Sequence, residues 1–503
     1  VAIKVPDPEW CMLHMTRDLL FRQPEYARRG AYVEGRHDLP RGDRRYMQAL
    51  STLQRLAPTN YLGLVNQAVV QRMDVKGFKF GNEDGGMDED ATKIWVANDM
   101  DLVSTQIHHA ASKYGLAYAM VSPPDENDKN KIPIITFEDP RQTLVYRNPT
   151  RPSEILIGLK MWTDDFTGKI MATLMTPDVL YLYTGPDKTH LENMTINQVI
   201  NTLNGLSTSG QGFELTKRVK NPTKQVPLVE YVWRPGSGNL PQGECGVDVQ
   251  IIQDRVNATM LDLIVISRMQ AYKQRWATGV TRPRPGQDQE WDPGSDMVWV
   301  TKDKEAHFGE FQSADLRQIS EAIRDAIADI AAVTQTPAHY LMGKLANVSG
   351  ETLAQAETGL VKKTKLRMKS MGWSHERLMK LCFAYNDDPR ATEVDAHVLW
   401  EDPEQNALVD IASAAAQLRS AEIPVQLVME RIGFTEEDIA FAEQELEKQQ
   451  QLEQQQMQAQ MDQQMQIAKM KPAAGGVGSG KTNPAAKKPS PNSTKKKPTK
   501  PAK

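Results

Sequence analysis

Eight residues near the C-terminal end carry the most explicit chemical pattern of the chain. Gly475-Gly476-Val477-Gly478-Ser479-Gly480-Lys481-Thr482 satisfies G-x-x-x-x-G-K-T, the phosphate-cradling loop. Such a loop grips phosphate only when a strand before it and a helix after it hold its backbone N–H groups around the anion. Here a Gln/Met-rich stretch ending in Lys471-Pro472 precedes it and Asn483-Pro484 with a lysine tail follows, so the match reads as chance. His108 and His109 are sequence neighbours and point to different sides of a helix, unlike an i, i+4 pair that shares one metal. The acidic run at 82–90 (NEDGGMDED) lacks the alternating ligands and distal Glu of a calcium loop and reads as a solvated loop. Cys11, Cys245 and Cys382 show no CxxC or Cys/His spacing, so reduced thiols are expected rather than a disulfide framework or a zinc site. No HExxH or G-x-S-x-G occurs. Catalysis has no support in the sequence, and neither a cofactor nor a metal is expected.

The charges divide unevenly. Across 503 residues the formal balance is −4, from 60 basic and 64 acidic side chains. Residues 469–503 hold ten lysines and no acid, which leaves 50 basic against 64 acidic, or −14, for the rest. An acidic body disfavours a protein that grips DNA along its main surface, while a block of like charge is a solvated interaction tail. The basic run Lys362, Lys363, Lys365, Arg367 and Lys369 reads first as a solvated helix face and second as a phosphate contact. With 40% apolar and 25% charged residues, most of the chain can bury a core, and the length suggests two to four folding units. No apolar stretch approaches a membrane span. Val1 in first position is expected to reflect a GTG start or a trimmed leader.

The elements that position these residues follow from periodicity. Met12–Arg29 is a helix stopping at Gly30, Asp43–Leu56 a second, and Asn60 caps a third running to Arg72. From Leu116 the period falls to two. Leu116–Val121, Ile132–Phe137, Thr143–Tyr146, Ile155–Trp162, Ile170–Met175 and Val179–Tyr183 predict a mostly antiparallel meander, rejoined by Leu228–Trp233 after a Gly/Asn/Ser/Thr-rich insertion at 185–212. The first unit is thus α+β. A long helix at Val247–Trp276, an interruption at Gly279–Phe311 with Pro283, Pro285 and Pro293, and a helix at Asp315–Val333 come next. Leu316, Ile319, Ile323, Ala326, Ile330 and Val333 are spaced 3, 4, 3, 4, 3, a narrow seam for a neighbouring helix. Gln335–Gly350 is a loop, and a long helix begins at Thr352 with Ser349 as N-cap and reaches Phe383. Val394–Trp400 is a strand, and helices follow at Gln405–Ser420, Val425–Arg431 and from Thr435. Half of the 24 residues from Gln444 to Ile467 are Gln, and the Lys/Pro/Gly/Ser remainder is expected to be disordered.

This order of elements, with its local motifs, resembles the portal (head–tail connector) proteins of tailed double-stranded-DNA bacteriophages, of the siphophage type common in actinobacterial phages. The likeness lies in Tyr32-Val33-Glu34-Gly35, in Asn60 through Val75-Lys76-Gly77-Phe78, in Lys113-Tyr114-Gly115-Leu116-Ala117-Tyr118 and in Pro227-Leu228-Val229 before Gly246. Its most specific part is Thr336-Pro337-Ala338-His339-Tyr340-Leu341-Met342 followed by Asn347-Val348-Ser349-Gly350-Glu351-Thr352. Trp400-Glu401-Asp402-Pro403 and Glu422-Ile423-Pro424 complete it, so that residues 10–445 are covered.

The resemblance implies a portal fold. It has a wing at 1–245 and 351–402, stem helices at 246–278 and 312–334, a clip at 279–311, a tunnel loop at 335–350, crown helices at 403–447 and a disordered tail at 448–503. It further implies a ring of about twelve copies at one capsid vertex of the virion, assembled in the host cytoplasm. Double-stranded DNA would pass along the axis during packaging and ejection. The implied partners are the terminase large subunit, the major capsid and scaffold proteins, and head–tail connector proteins, with no membrane. On this reading His339, Tyr340, Met342, Lys344 and Asn347 face DNA, the 3–4 seam packs between subunits, and Arg282, Arg284, Trp291 and Trp299 dock partners at the clip. A minor capsid or tail adaptor protein is the alternative.

Overall fold

The computed structural model describes residues 6–40, 51–81, 87–187, 212–236, 240–271, 275–279, 304–310, 314–343 and 350–404, with Lys448. The chain divides into two compact units, residues 1–410 and 411–503, and every element described belongs to the first. The expected helices after Gln405, the glutamine-rich stretch, the lysine tail and the Gly475–Thr482 match lie outside the described residues, as does Ser349.

Helix α1 (Pro8–Val33) begins where the Asp7 carboxylate accepts the Glu9 N–H at 3.1 Å and Pro8 presets the first helical turn. Its Cys11, Met12, Met15 and Leu19 form one buried face on a five-stranded antiparallel sheet. That sheet is a meander of β4 (Thr143–Asn148), β5 (Arg151–Thr163), β6 (Lys169–Met175), β7 (Val179–Asp187) and β8 (Glu214–Lys220), each strand beside the next. The helix does not stop at Gly30. It runs on to Val33, and the missing side chain at Gly30 makes room for Lys113 and the Tyr114 ring. Strand β8 was not expected. Its sequence ELTKRVK is almost wholly exposed on the sheet edge, so it has no buried face to impose an apolar alternation.

A second antiparallel sheet places β2 (Leu116–Ser122) between β3 (Ile134–Glu138) and β9 (Leu228–Val232). Helices α2 (Tyr61–Val70), α4 (Met100–Tyr114) and the 36-residue α8 (Gly350–Tyr385) share its main core, which includes Val69, Ile107, Trp233, Met371, Leu378 and Phe383. At 1.5 Å per residue α8 is roughly 54 Å long. Asn60 caps α2 as expected, its Oδ1 accepting the Gly63 N–H at 2.9 Å. Strand β1 (Val75–Phe80) pairs antiparallel with β12 (Ala396–Trp400), Val75 opposite Trp400, which ties the chain after α2 to the chain after α8.

Part of the acidic run is structural rather than loop. Asp88 caps α3 (Glu89–Ala97) through the Ala91 N–H at 2.9 Å, and Arg390 binds Asp88 and Asp90 at 2.8 and 3.0 Å. Carboxylates at a helix N-terminus are favoured by the helix dipole. Residues 82–86 lie outside the described set. The three cysteines are buried and free, and burial, helped by Asp7, pushes the Cys11 thiol up to about 11.

Candidate functional site

The feature that stands apart from the sheets is a helical arm. Helix α5 (Val247–Ala271) leads into β10 (Arg275–Thr278), and β11 (His307–Glu310) leads into α6 (Leu316–Thr334). The two helices run antiparallel. Arg255 pairs with Asp329, and the Gln270 side-chain amide donates to the Ala314 carbonyl at 2.8 Å. The β10–β11 ladder is also antiparallel, with Arg275 opposite Glu310 and Thr278 opposite His307. The helix pair and the strand pair are thus both antiparallel. α5 ends at Ala271, five residues before the expected Trp276, which lies in β10; at 25 residues it is roughly 37 Å long.

Each helix of the arm has a sequence-imposed inner face. Ile323, Ala326 and Ile330 are buried with Val249 and Val256, and Ile319, Ile252, Met260 and Leu263 pack at the margin. Leu316 is partly buried, whereas Val333 is 51% exposed. The 3–4 spacing is satisfied by α5 of the same chain, because a helix tethered through a hairpin meets its partner at a far higher effective concentration than a separate subunit does. Of the six seam residues, only Val333 leaves half its surface outside.

The other face of α5 is polar and is bonded to the body. Arg28 donates to Gln250 Oε1 at 2.7 Å, and Gln253 Nε2 donates to the Thr59 carbonyl at 3.1 Å. Asn257 Oδ1 accepts the Thr59 N–H at 3.0 Å, and the Tyr32 hydroxyl donates to Asp254 at 2.7 Å while its ring stacks on His37. Burial and that carboxylate push the Tyr32 phenol up, whereas burial lowers His37. Gln250, Gln253 and Asn257 recur at spacings of three and four, so α5 presents an apolar stripe to α6 and a hydrogen-bonding stripe to the body.

The described part of the expected tunnel loop includes a short helix. After α6 the chain forms the short helix α7 (Ala338–Met342), which ends at Gly343 with φ +63°. Tyr340 points into the body: its hydroxyl donates to Glu357 at 2.9 Å and accepts from Arg72 at 2.6 Å, while Arg72 also reaches the Pro403 carbonyl at 2.8 Å. Met342 packs on the core at the arm's base. His339 is half-buried, its Nε2 3.9 Å from Glu357. Lys344 and Asn347 lie outside the described residues, as do Arg282, Arg284, Trp291 and Trp299.

Helix α8 divides the basic run in two. Lys363 and Arg367 are buried and grip Glu244 at 3.0 and 3.1 Å, and Trp233 Nε1 donates to the same carboxylate at 2.8 Å. Lys363 also donates to the Thr334 carbonyl at 2.6 Å, at the C-terminus of α6, where a cation is favoured. Burial raises the Glu244 pKa, but the two cations outweigh it and hold the group below its ordinary value. Lys362, Lys365 and Lys369 are exposed, and Lys365 pairs with Asp402. The i, i+4 spacing of 363 and 367, in phase with Leu360, Thr364 and Met371, was the signal that these two face inward.

Sequence reading missed one further cluster. His108 Nε2 lies 2.9 Å from His375 Nε2, and the Tyr231 hydroxyl lies 3.1 Å from His375 Nδ1, all buried beside Trp95 and Trp400. Burial pushes both imidazoles down, His108 to about 3, so the pair is neutral at physiological pH. His109 is exposed on the other side of α4, as adjacency dictates. Among the described residues no cluster of His, Cys, Asp or Glu can hold a metal, and no helix is long and apolar enough to cross a membrane.

The geometry is that of a scaffold: buried ion pairs fix α8, hydrogen bonds fix α5, and the arm carries a hairpin. A family model described as "Phage portal protein, SPP1 Gp6-like" matches residues 22–465. The portal proteins of Mycobacterium phage L5 and Mycobacterium phage D29 are each 23% identical to the chain over 380 residues. The match spans 73% and 72% of this chain, respectively, and 73% of each relative.

Proposed function

Because the chain belongs to the SPP1 Gp6-like family of phage portal proteins, we propose that it assembles as a closed ring at one capsid vertex, with the α5–α6 arms side by side around an axial passage for double-stranded DNA. The observation that carries this reading is the antiparallel pairing of α5 with α6, through Arg255–Asp329 and Gln270–Ala314, together with the antiparallel β10–β11 ladder farther along the same two segments. Two antiparallel helices whose chains pair again as strands suit the stem and clip of a connector. Repeated heterologous contacts close into a ring when the rotation per subunit divides a full turn, and about twelve copies are proposed.

The charge balance supports a passage rather than a clamp. Each phosphate neutralised by Lys or Arg releases counterions and strengthens binding, so a densely basic lining would hold the duplex fast. A chain with −14 outside its lysine tail leaves room for sparse guiding cations only. Lys344 and Asn347 are proposed for that role. Tyr340 and Met342 are not, since both are engaged inside the subunit. Arg282, Arg284, Trp291 and Trp299 remain proposed docking residues for the terminase large subunit and for head–tail connector proteins. The crown residues would meet scaffold or capsid protein inside the head. No residue of this account performs bond chemistry. The reading is tested by light scattering and negative-stain microscopy of the purified chain. Rings with a central opening are expected; monodisperse monomers across a wide concentration range would refute it.

A further inference from the structure

An open groove of about 1250 Å³ runs along α8, bounded by the arm's base on one side and by β12 with the chain just after it on the other. Its lining includes two large apolar side chains left in solvent, Leu366 at 58% and Trp373 at 70% exposed. They belong to a single stripe. Lys362, Leu366, Lys369 and Trp373 are spaced 4, 3, 4 and are the outward positions of α8, opposite the face that buries Lys363, Arg367 and Met371. An exposed tryptophan and leucine two turns apart on a rigid helix, at the edge of a groove, mark an interaction surface.

The chemistry of the groove narrows what it takes. Its volume exceeds the usual few hundred to about 1,000 Å³ of a small-molecule site, and its strongly exposed walls would bury little of a small ligand. Its rim mixes charges of both signs, Arg234 and Lys369 against Asp248, Glu376 and Glu401. A nucleic acid would meet repulsion from those carboxylates, whereas an apolar floor with a mixed polar rim is the anatomy of a protein interface. The groove is also continuous with the arm, because Val333, Thr334 and Gln335 line it and Val333 keeps half its surface outside.

We propose that this groove is the socket for the adjacent copy of the chain in the ring, with Leu366 and Trp373 as its apolar anchors. The inference rests on the ring reading above and deepens it, since a closed ring needs on each copy one surface that receives and a different one that inserts. The socket's position beside the arm's base makes one lateral face of helix α8 and arm together.

The test is a Leu366→Ser/Trp373→Ser double variant of the full chain beside Phe166→Ser, which alters an almost fully exposed side chain on the β5–β6 turn. Oligomeric state is read by light scattering and negative-stain microscopy, and folding by circular dichroism and thermal melting of each protein. The expected result is rings for the wild type and for Phe166→Ser. The double variant should give at least a tenfold loss of ring at equal concentration, with the helical signal intact. Rings of unchanged yield in the double variant would overturn the socket while leaving the ring reading in place, and so would an equal loss in Phe166→Ser. An unfolded double variant would also overturn it, because it would show these side chains to be core. Absence of rings in the wild type itself would instead overturn the ring reading, and the socket with it.

Discussion

Replacing Glu244 by Gln keeps the shape of a buried side chain and removes its charge. Lys363 and Arg367 are then left in the interior without a counter-charge, while Trp233 keeps an acceptor. Removing one partner of a buried ion pair costs about 3–5 kcal/mol, far more than the net worth of the intact pair. Two cations share this carboxylate, which argues for the upper part of that range. Lys363 retains the Thr334 carbonyl, which pulls it back toward about 4 kcal/mol. In a unit larger than 250 residues each kcal/mol shifts the melting temperature by no more than about 2 °C, so a loss on the order of 6–8 °C is expected. The pH dependence supplies a second readout. Because the folded pKa of Glu244 lies below its unfolded value, its stabilisation is complete above the unfolded pKa and disappears as pH falls through the folded one. The gap between wild type and Glu244→Gln should therefore be full at pH 7 and narrow below roughly pH 4.5. Differential scanning calorimetry of both proteins at equal concentration measures it. A shift under 2 °C at pH 7, or a gap that does not change with pH, would refute the reasoning. Adding Lys363→Met and Arg367→Met to Glu244→Gln should restore most of the loss.

Three further predictions concern other parts of the frame. His108 and His375 are both held neutral by burial, with folded pKa values below the unfolded one, so stability is present above about pH 6.5 and falls below it. Each contributes about 1.4 kcal/mol per pH unit, and a His375→Gln variant should show a measurably shallower acid limb in urea unfolding between pH 6 and 4.5. Ile330, fully buried between α5 and α6, should cost about 2–4 kcal/mol when cut to Ala, read as a lower urea midpoint. At Gly115, with φ +91°, a Cβ would stand 2.1 Å from the Pro241 carbonyl oxygen. Gly115→Ala should therefore give little soluble protein where Gly343→Ala, with open space around it, gives normal yield.

What the sequence disclosed, and what it hid, follows from where each signal originates. Local chemistry was legible: the Asn60 cap, the strands whose alternation faces a core, and the spacing of Ile319, Ile323, Ala326 and Ile330. The identity of the surface that seam meets was not, because a 3–4 stripe is the same whether its partner lies in the same chain or the next. Strand β8 was invisible, since a fully exposed edge strand has no hydrophobic period. The passage from helix to strand by Arg275 leaves no local mark, because nothing in the sequence Tyr272–Arg275 breaks a helix. Lys363 and Arg367 were hidden inside a run of five cations, although their four-residue spacing in phase with apolar neighbours separates them. The His108–His375 contact spans 267 residues and leaves no trace in either local pattern. Of the expected DNA-facing and docking residues, three fall on described chain, and two of those, Tyr340 and Met342, serve the subunit's own packing.

The most direct test of the account is a cryo-EM reconstruction of the assembled protein at a resolution that separates helices. The account predicts α5 and α6 of every copy standing around one axial opening, the β10–β11 hairpins together at one end, and each α8 stripe covered by its neighbour. A ring in which the arms point away from the axis, or an assembly with no opening along it, would contradict it.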